Sequence, residues 1–236
     1  MFDHITLRVS DVEASRRFYD TALAPLDIEP SVGDEWGDLS ISTDRNDDSV
    51  TRRAHVAVAA RSHEEVEAFW RAATEAGFRD NGPPGLRPEY HETYYAAFVL
   101  DPDGNNIEAV HHGREPHAML DHVTCRVADL DASRAFYTAA LSPLGFELRY
   151  DEGGFVGFGV PGNSLWLLAG EPSQNVHVAF VASGNATVDE WHHALLAAGH
   201  HDNGPPGERP VYHAGYYGAF VLDPDGNNVE AVCHNR

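Results

Sequence analysis

Polar and apolar residues alternate at the start of the chain. From Phe2 to Val9, one parity holds Ile5, Leu7 and Val9, and the other holds His4, Thr6 and Arg8. That period of two predicts a half-buried strand with a polar second face. The period then changes. Ser10-x-x-Glu13 reads as a capping box, and Val12, Phe18, Tyr19 and Ala22 form the apolar stripe of a helix. Weakly patterned strand segments follow to about Ser42. A second strand, Ala54 to Ala59, sets His55 opposite Val56 and Val58. Ser62-x-x-Glu65 opens another helix with the stripe Val66, Phe69, Trp70 and Ala73, and Gly77 stands where it should stop. An NGPPG loop, an apolar strand around AAFVL, the turn DPDGNN and a last strand from Asn106 to Val110 follow.

The whole set then recurs. FDHITLRVSDVEASRRFYDTALAPL, starting at Phe2, returns as LDHVTCRVADLDASRAFYTAALSPL at Leu120, an offset of 118 residues. DNGPPGLRPEYHETYYAAFVLDPDGNNIEAVHH, starting at Asp80, returns at Asp202 with an offset of 122. Such self-similarity defines two homologous halves, 1–114 and 118–236, joined by the short polar stretch Gly113 to Pro116. A linker that short implies halves packed as a pseudo-dimer rather than tethered loosely. In the second half Thr187-x-x-Glu190 reads as a capping box and Gly199 as the stop. Strand, helix and further strands repeated four times imply an α+β class with mostly antiparallel pairing.

Charge narrows the partners. Across 236 residues, 37 acidic against 16 basic side chains give a formal net charge of −21, which disfavours nucleic acid and anionic membrane surfaces. All the basic residues are arginine, so lysine-dependent chemistry such as Schiff-base catalysis is excluded. Two cysteines, Cys125 and Cys233, build no disulfide framework, and a reducing compartment is expected. The opening MFDHITLRVSD lacks the apolar core of a signal peptide, and no uncharged run reaches the roughly 18 residues of a membrane span. The expectation is a soluble, cytoplasmic protein whose partner is a small molecule, with homodimerisation open.

The histidines carry the candidate chemistry. His4, His55 and Glu108 in the first half align with His122, His177 and Glu230 in the second, each on an expected strand. Two imidazoles and a carboxylate suit a divalent metal and leave positions open for water, oxygen or substrate. Strand histidines also occur as core residues bonded to backbone carbonyls, and duplication copies those equally well. Residue chemistry alone leaves both readings open.

DHITLRVSDVEASRRFY, the AHVAVA strand and DPDGNNIEAV resemble the opening, middle and closing signatures of the vicinal oxygen chelate superfamily. That superfamily includes glyoxalase I, extradiol dioxygenases, fosfomycin-modifying enzymes and bleomycin resistance proteins. The resemblance spans the chain twice. It implies a tandem repeat of paired βαβββ modules forming cupped mixed sheets, with metal ligands at His4, His55 and Glu108 and at His122, His177 and Glu230. The metal would be Fe, Mn, Zn or Ni.

Departures from the pattern bear on function. The glutamate that glyoxalase I enzymes usually add as a fourth ligand has no counterpart in DLSIS or SLWLL, the segments near Asp38 to Ser42 and Ser164 to Leu168. His91 and His213 match the histidine of the extradiol signature, but its tyrosine position holds Phe98 and Phe220. Tyr94 and Tyr95, with their copies Tyr216 and Tyr217, are the available substitutes. His91, His213, Tyr94 and Tyr216 are therefore the candidate catalytic residues. Three functions follow: a metal-dependent glyoxalase-like isomerase or lyase, an Fe(II) ring-cleaving dioxygenase, and a non-catalytic small-molecule binding or resistance protein. Arg87 and Arg209 offer either an anion clamp or a surface ion pair. His112 and His234 read as solvated strand ends, and His192, His193, His200 and His201 as surface.

Two expectations concern assembly. Modules could pair within a half, grouping His4 with His55 and Glu108, or be exchanged between halves, joining His4 to His177 and Glu230. The linkers, about 44–53 and 170–176, are short, which favours pairing within each half. The middle segments diverge, so the pocket walls should differ. Phe155, Phe158, Trp166 and Leu168 make the second wall the more apolar and suit it to the more hydrophobic ligand.

Overall fold

The opening alternation forms its strand. In the computed structural model, which describes residues 1–31, 33–43, 49–160 and 162–235, β1 (Phe2–Arg8) buries Ile5 and Leu7. α1 (Val12–Leu23) then lays Phe18, Tyr19, Ala22 and Leu23 into the core. β2 (Glu35–Trp36) and β3 (Leu39–Ser42) complete the first module. The second module runs β4 (His55–Ala59), α2 (His63–Glu75), β5 (Arg79–Leu86), β6 (Tyr95–Leu100) and β7 (Asn106–His111). The third has β8 (Leu120–Val127), α3 (Leu130–Leu141), β9 (Glu147–Glu152), β10 (Phe155–Val160) and β11 (Asn163–Ala169). The fourth has β12 (His177–Val181), α4 (Asn185–Ala197), β13 (His201–Glu208), β14 (Tyr216–Leu222) and β15 (Asn228–His234).

These strands form two mixed sheets in an α+β arrangement. One has seven strands in the order β13-β14-β15-β12-β1-β3-β2, the other eight in the order β5-β6-β7-β4-β8-β11-β10-β9. Among the described residues, β1–β3, β4–β7, β8–β11 and β12–β15 pair in parallel and the rest antiparallel. The sheets correct the expected module pairing: β1 zips against β12 and β4 against β8, so each sheet joins one module from each half. Short linkers misled because they limit distance and not sheet membership. A connection of about seven residues still reaches roughly 23 Å. The two linkers also pair with each other: Arg52 and Gln174 exchange backbone hydrogen bonds of 3.1 and 3.0 Å. Much of the first linker, at 44–48, lies outside the described residues. The core is shared likewise, with Phe2 at 5.3 Å from Phe180 and 6.0 Å from Phe146 between ring centroids.

Three local expectations change. Ser62 caps α2 as expected, accepting from the Glu65 amide, but α1 is capped by Asp11. Ser10 is otherwise engaged, donating its hydroxyl to Asp103 Oδ1 at 2.6 Å. α4 begins after Gly184, leaving Thr187 inside the helix with its hydroxyl against Ser183. NGPPG is not a loop but most of β5, and its copy most of β13. Both are edge strands, where proline costs no ladder bond, and both bulge, with Gly82 at φ +153°.

Candidate metal centres

Lateral pairing brings the candidate ligands together across halves. In the eight-stranded sheet Glu108 on β7, Ala57 on β4 and His122 on β8 form one row, and His55 lies two residues from Ala57. Residues paired across a sheet face the same side. Ala57 is therefore the small residue over which the carboxylate and the imidazole converge. The seven-stranded sheet repeats this with Glu230, Ala179 and His4, plus His177. The ligand atoms of His55, Glu108 and His122 lie within 4.8 Å of one another, as do those of His4, His177 and Glu230. All six expected ligands are thus in two clusters, but regrouped: His4 joins the second-half pair and His122 the first-half pair.

The distances show how each cluster is held. His55 Nε2 donates to Glu108 Oε2 at 2.7 Å, and His122 Nε2 lies 3.3 Å from the same oxygen. In the other cluster His177 Nε2 is 2.9 Å and His4 Nε2 3.7 Å from Glu230 Oε2. Both glutamates are fully buried. The second carboxylate oxygen of each is taken: the Tyr94 hydroxyl donates to Glu108 Oε1 and the Tyr216 hydroxyl to Glu230 Oε1, both at 2.6 Å. Burial and the neighbouring carboxylates push both phenol pKa values up, so each stays a donor. The hydroxyls of Tyr94 and Tyr216 are thus spent on the two glutamates. Phe98 and Phe220 instead set their rings 6.2 and 6.1 Å from His55 and His177.

Behind each triad runs a chain of polar groups. His122 Nδ1 donates to Asp121 Oδ1 at 2.8 Å, His112 Nε2 to Asp121 Oδ2 at 2.9 Å, and His91 Nε2 lies 2.8 Å from His112 Nδ1. In the other half His4 Nδ1 and His234 Nε2 donate to Asp3 at 2.7 and 2.6 Å, and His213 lies 2.8 Å from His234. His112 and His234 are thus not solvated strand ends. His91 is exposed and touches no triad atom directly; its ring lies 5.2 Å from that of Tyr94, and that of His213 5.3 Å from Tyr216. Burial works against the charged form of His122, but Glu108 and Asp121 outweigh it and raise its pKa to about 10. Burial opposes ionised Glu108 as well, yet His122 and His55 hold it down at about 2. His177 moves the other way: burial lowers it despite Glu230.

The donor set fits a divalent metal. Two imidazole nitrogens and one carboxylate oxygen converge, the buried carboxylate has histidines as its charge partners, and Asp121 or Asp3 fixes the far nitrogen of one imidazole. No aspartate or glutamate of β3 or β11 joins either cluster among the described residues. Sequence reasoning missed Ala57 and Ala179, although their place two residues after each histidine put them on the same strand face. It missed Asp3 and Asp121 too, which adjoin the histidines at 4 and 122.

Other candidates lie elsewhere. Arg87 and Arg209 make no ion pair among the described residues: each donates to a carbonyl of the strand before it, at Pro83 and Pro205, and covers Phe98 or Phe220. His192 is not on the surface; it is 4% exposed and bonded to Asp202 at 2.9 Å. Phe158 points into the core at 1% exposure, away from the site-facing wall. Cys125 is fully buried and its thiol pKa is raised by that burial.

Known proteins agree with this architecture. The family model for the Glyoxalase/Bleomycin resistance protein/Dioxygenase superfamily matches residues 1–109 and again 119–231. No curated protein matches the chain. Among solved structures, glyoxalase I from Zea mays is 20% identical, covering 99% of this chain and 92% of its own, with a TM-score of 0.71. A protein from Bacillus subtilis named as a candidate dioxygenase is 16% identical, covering 100% and 85%, with a TM-score of 0.66. At these identities the likeness is one of fold. With two family matches along its length and two cupped sheets that each hold a histidine-histidine-glutamate cluster, the chain belongs to the Glyoxalase/Bleomycin resistance protein/Dioxygenase superfamily in tandem form.

Proposed function

We propose that the protein is a divalent-metal-dependent enzyme that acts on a small molecule bound through two adjacent oxygens, in glyoxalase-like isomerase or lyase chemistry. The observation that carries this is the convergence, twice, of two histidines and one buried glutamate drawn from opposite halves. A bound divalent metal supplies Lewis acidity toward the chelated oxygens. The chain's own groups do the rest. His4, His177 and Glu230 would hold one ion, and His55, Glu108 and His122 the other. Tyr94 and Tyr216 occupy one oxygen of each glutamate and leave the second for the metal. His91 and His213, at the outer ends of the polar chains, are the groups proposed to exchange protons with ligand or solvent. The units that carry these residues are the halves 1–114 and 118–236, in the cytoplasm.

A second reading has its own support. Two histidines and a carboxylate, with no fourth such ligand in either cluster among the described residues, would be the donor set of non-haem Fe(II) oxygenases. Elemental analysis of protein purified without an affinity tag tests the common element of both: two ions per chain are expected. His55→Ala and His177→Ala should each remove one, and unchanged binding in both would sink the assignment. Oxygen consumption with a catechol panel separates the two readings. A chain that binds small molecules without metal would instead be a sequestering protein.

A further inference from the structure

The two clusters hold the same residue types on matching strands, but the walls beside them differ. Across the eight-stranded sheet one lateral row reads Asn106, His55, Thr124, Trp166, Gly157, Tyr150. The matching row of the seven-stranded sheet reads Asn228, His177, Thr6, Ser40, Glu35. Moving outward from the second histidine, both rows cross a threonine and then diverge. Side chains in one row share a face, and strands lie about 4.8 Å apart, so Trp166 and Ser40 stand roughly 10 Å from the paired histidines.

Trp166 forms a platform. A Cβ on Gly157 would meet its ring at 2.7 to 2.9 Å, so the indole lies flat over that glycine. Its Nε1 donates to Ser164 Oγ at 2.9 Å, which pins the ring along the sheet. Tyr150 flanks it at 5.8 Å between centroids, and Phe155, paired with Leu168, adds apolar surface on the same face. Tyr150 and Phe155 are 43% and 44% exposed, so this aromatic wall faces open space. The opposite face of β10 and β11, with Val156, Phe158, Leu165 and Leu167, is the core. In the seven-stranded sheet Ser40 bonds Thr6 at 2.7 Å, Ser42 follows beside Arg8, and Glu35 stands opposite Ser40 on the edge strand.

We infer that the two centres take different ligands: the eight-stranded centre one whose chelating oxygens are carried on a planar aromatic group stacked on Trp166, and the seven-stranded centre a small, polar, non-aromatic one. This rests on the metal reading given above. A ligand held at the triad and directed along the row reaches the indole in one sheet and a serine and a glutamate in the other. Stacking of ring on ring adds to the gain from area burial. The same group beside Ser40 and Glu35 would lie on hydrated, charged surface and gain little.

Benzohydroxamate and acetohydroxamate test this, since they share one chelating pair of oxygens and differ only in carrying a phenyl or a methyl group. The full chain is used as His177→Ala, which keeps the eight-stranded centre, and as His55→Ala, which keeps the other. Each is loaded with Zn(II), Mn(II) or Ni(II), whichever elemental analysis shows it retains. Calorimetric titration of His177→Ala should show benzohydroxamate binding on the order of 10-fold tighter than acetohydroxamate. In His55→Ala the ratio should lie near one. Adding Trp166→Ser to His177→Ala should abolish the preference, while Trp166→Phe, which keeps a ring, should retain most of it. Equal ratios at two metal-loaded centres, or a preference untouched by Trp166→Ser in a folded protein, overturn this inference alone. Retention of no metal by either variant overturns the metal reading and this inference with it.

Discussion

At the scale of single residues, the aspartates beside His4 and His122 fix the far ring nitrogen of each candidate ligand. Asp121 accepts from His122 and His112 at once, and those two bonds, against burial, hold its carboxyl well below the usual range. Losing such a partner typically lowers metal affinity 10- to 100-fold. Asp121→Asn should therefore weaken metal at the His55, Glu108 and His122 centre by about that factor, read by chelator competition, and leave the other centre unaltered. His112→Gln still offers a donor to Asp121 and should bind metal nearly normally, whereas His112→Leu should not. Equal affinities for those two would mean that His112 is only packing. The metal-free protein carries a pH signature at the same place. Glu108, depressed from 4.5 to about 2, contributes stability that is present above pH 4.5 and lost as pH falls through 2. His122, raised from 6.5 to about 10, contributes stability that is full below pH 6.5 and lost as pH rises through 10. Chelator-treated protein should then show its Tm falling between pH 7 and 9 more steeply than Glu108→Gln does. Parallel curves for the two would contradict the pairing.

At the scale of elements, the DPDGN turn explains how a strand comes to present its histidine. Asp101 is buried and accepts from the Asp103 and Asn105 amides, the Asn105 side chain and the Tyr19 hydroxyl. Asn105, so oriented, accepts from the Ala54 amide just before His55 and donates to the Thr51 carbonyl. Asn227 accepts from Val176 in the same way, before His177. Asn105→Ala leaves a buried amide and a carbonyl unpaired, at roughly 1–3 kcal/mol for each such group. The expected result is a clear drop in Tm together with weaker metal at the His55 centre only, and a loss confined to stability would detach the turn from the site. The strand faces, helix stripes and Ser62 cap were legible in the sequence because local periodicity and spacing encode them, whereas the six candidate ligands were marked by the repeat together with the family resemblance. Tertiary partners encode the remainder. Ser10 forms no cap because Asp103 takes its hydroxyl, NGPPG extends as a strand because an edge tolerates its prolines, and His192 is buried because Asp202 reaches it. Phe158 was read into the pocket wall although its parity, opposite to that of Phe155, sends it to the core.

At the scale of the molecule, exchange of modules between halves makes neither centre the property of one half. His4 stands on β1, whose lateral neighbour β12 belongs to the second half, and β4 leans on β8 in the same sense. A first half alone, residues 1–116, would hold His4, His55 and Glu108 on sheets that each lack an inner neighbour. Its two open edges are those of β1 and β4, the first-half counterparts of β8 and β12, so a second copy can close both. Two copies would then rebuild two clusters, each with His4 from one copy and His55 and Glu108 from the other. Residues 1–116 should accordingly bind metal only as a dimer, two ions per pair, with sedimentation showing a monomer that holds none. Supplied together as separate chains, residues 1–116 and 117–236 should assemble one to one, since Phe2, Phe146 and Phe180 pack as a set drawn from both halves. A first half that stays monomeric while holding one ion would mean that its modules fold onto each other, and the shared sheets would then be no requirement of the site.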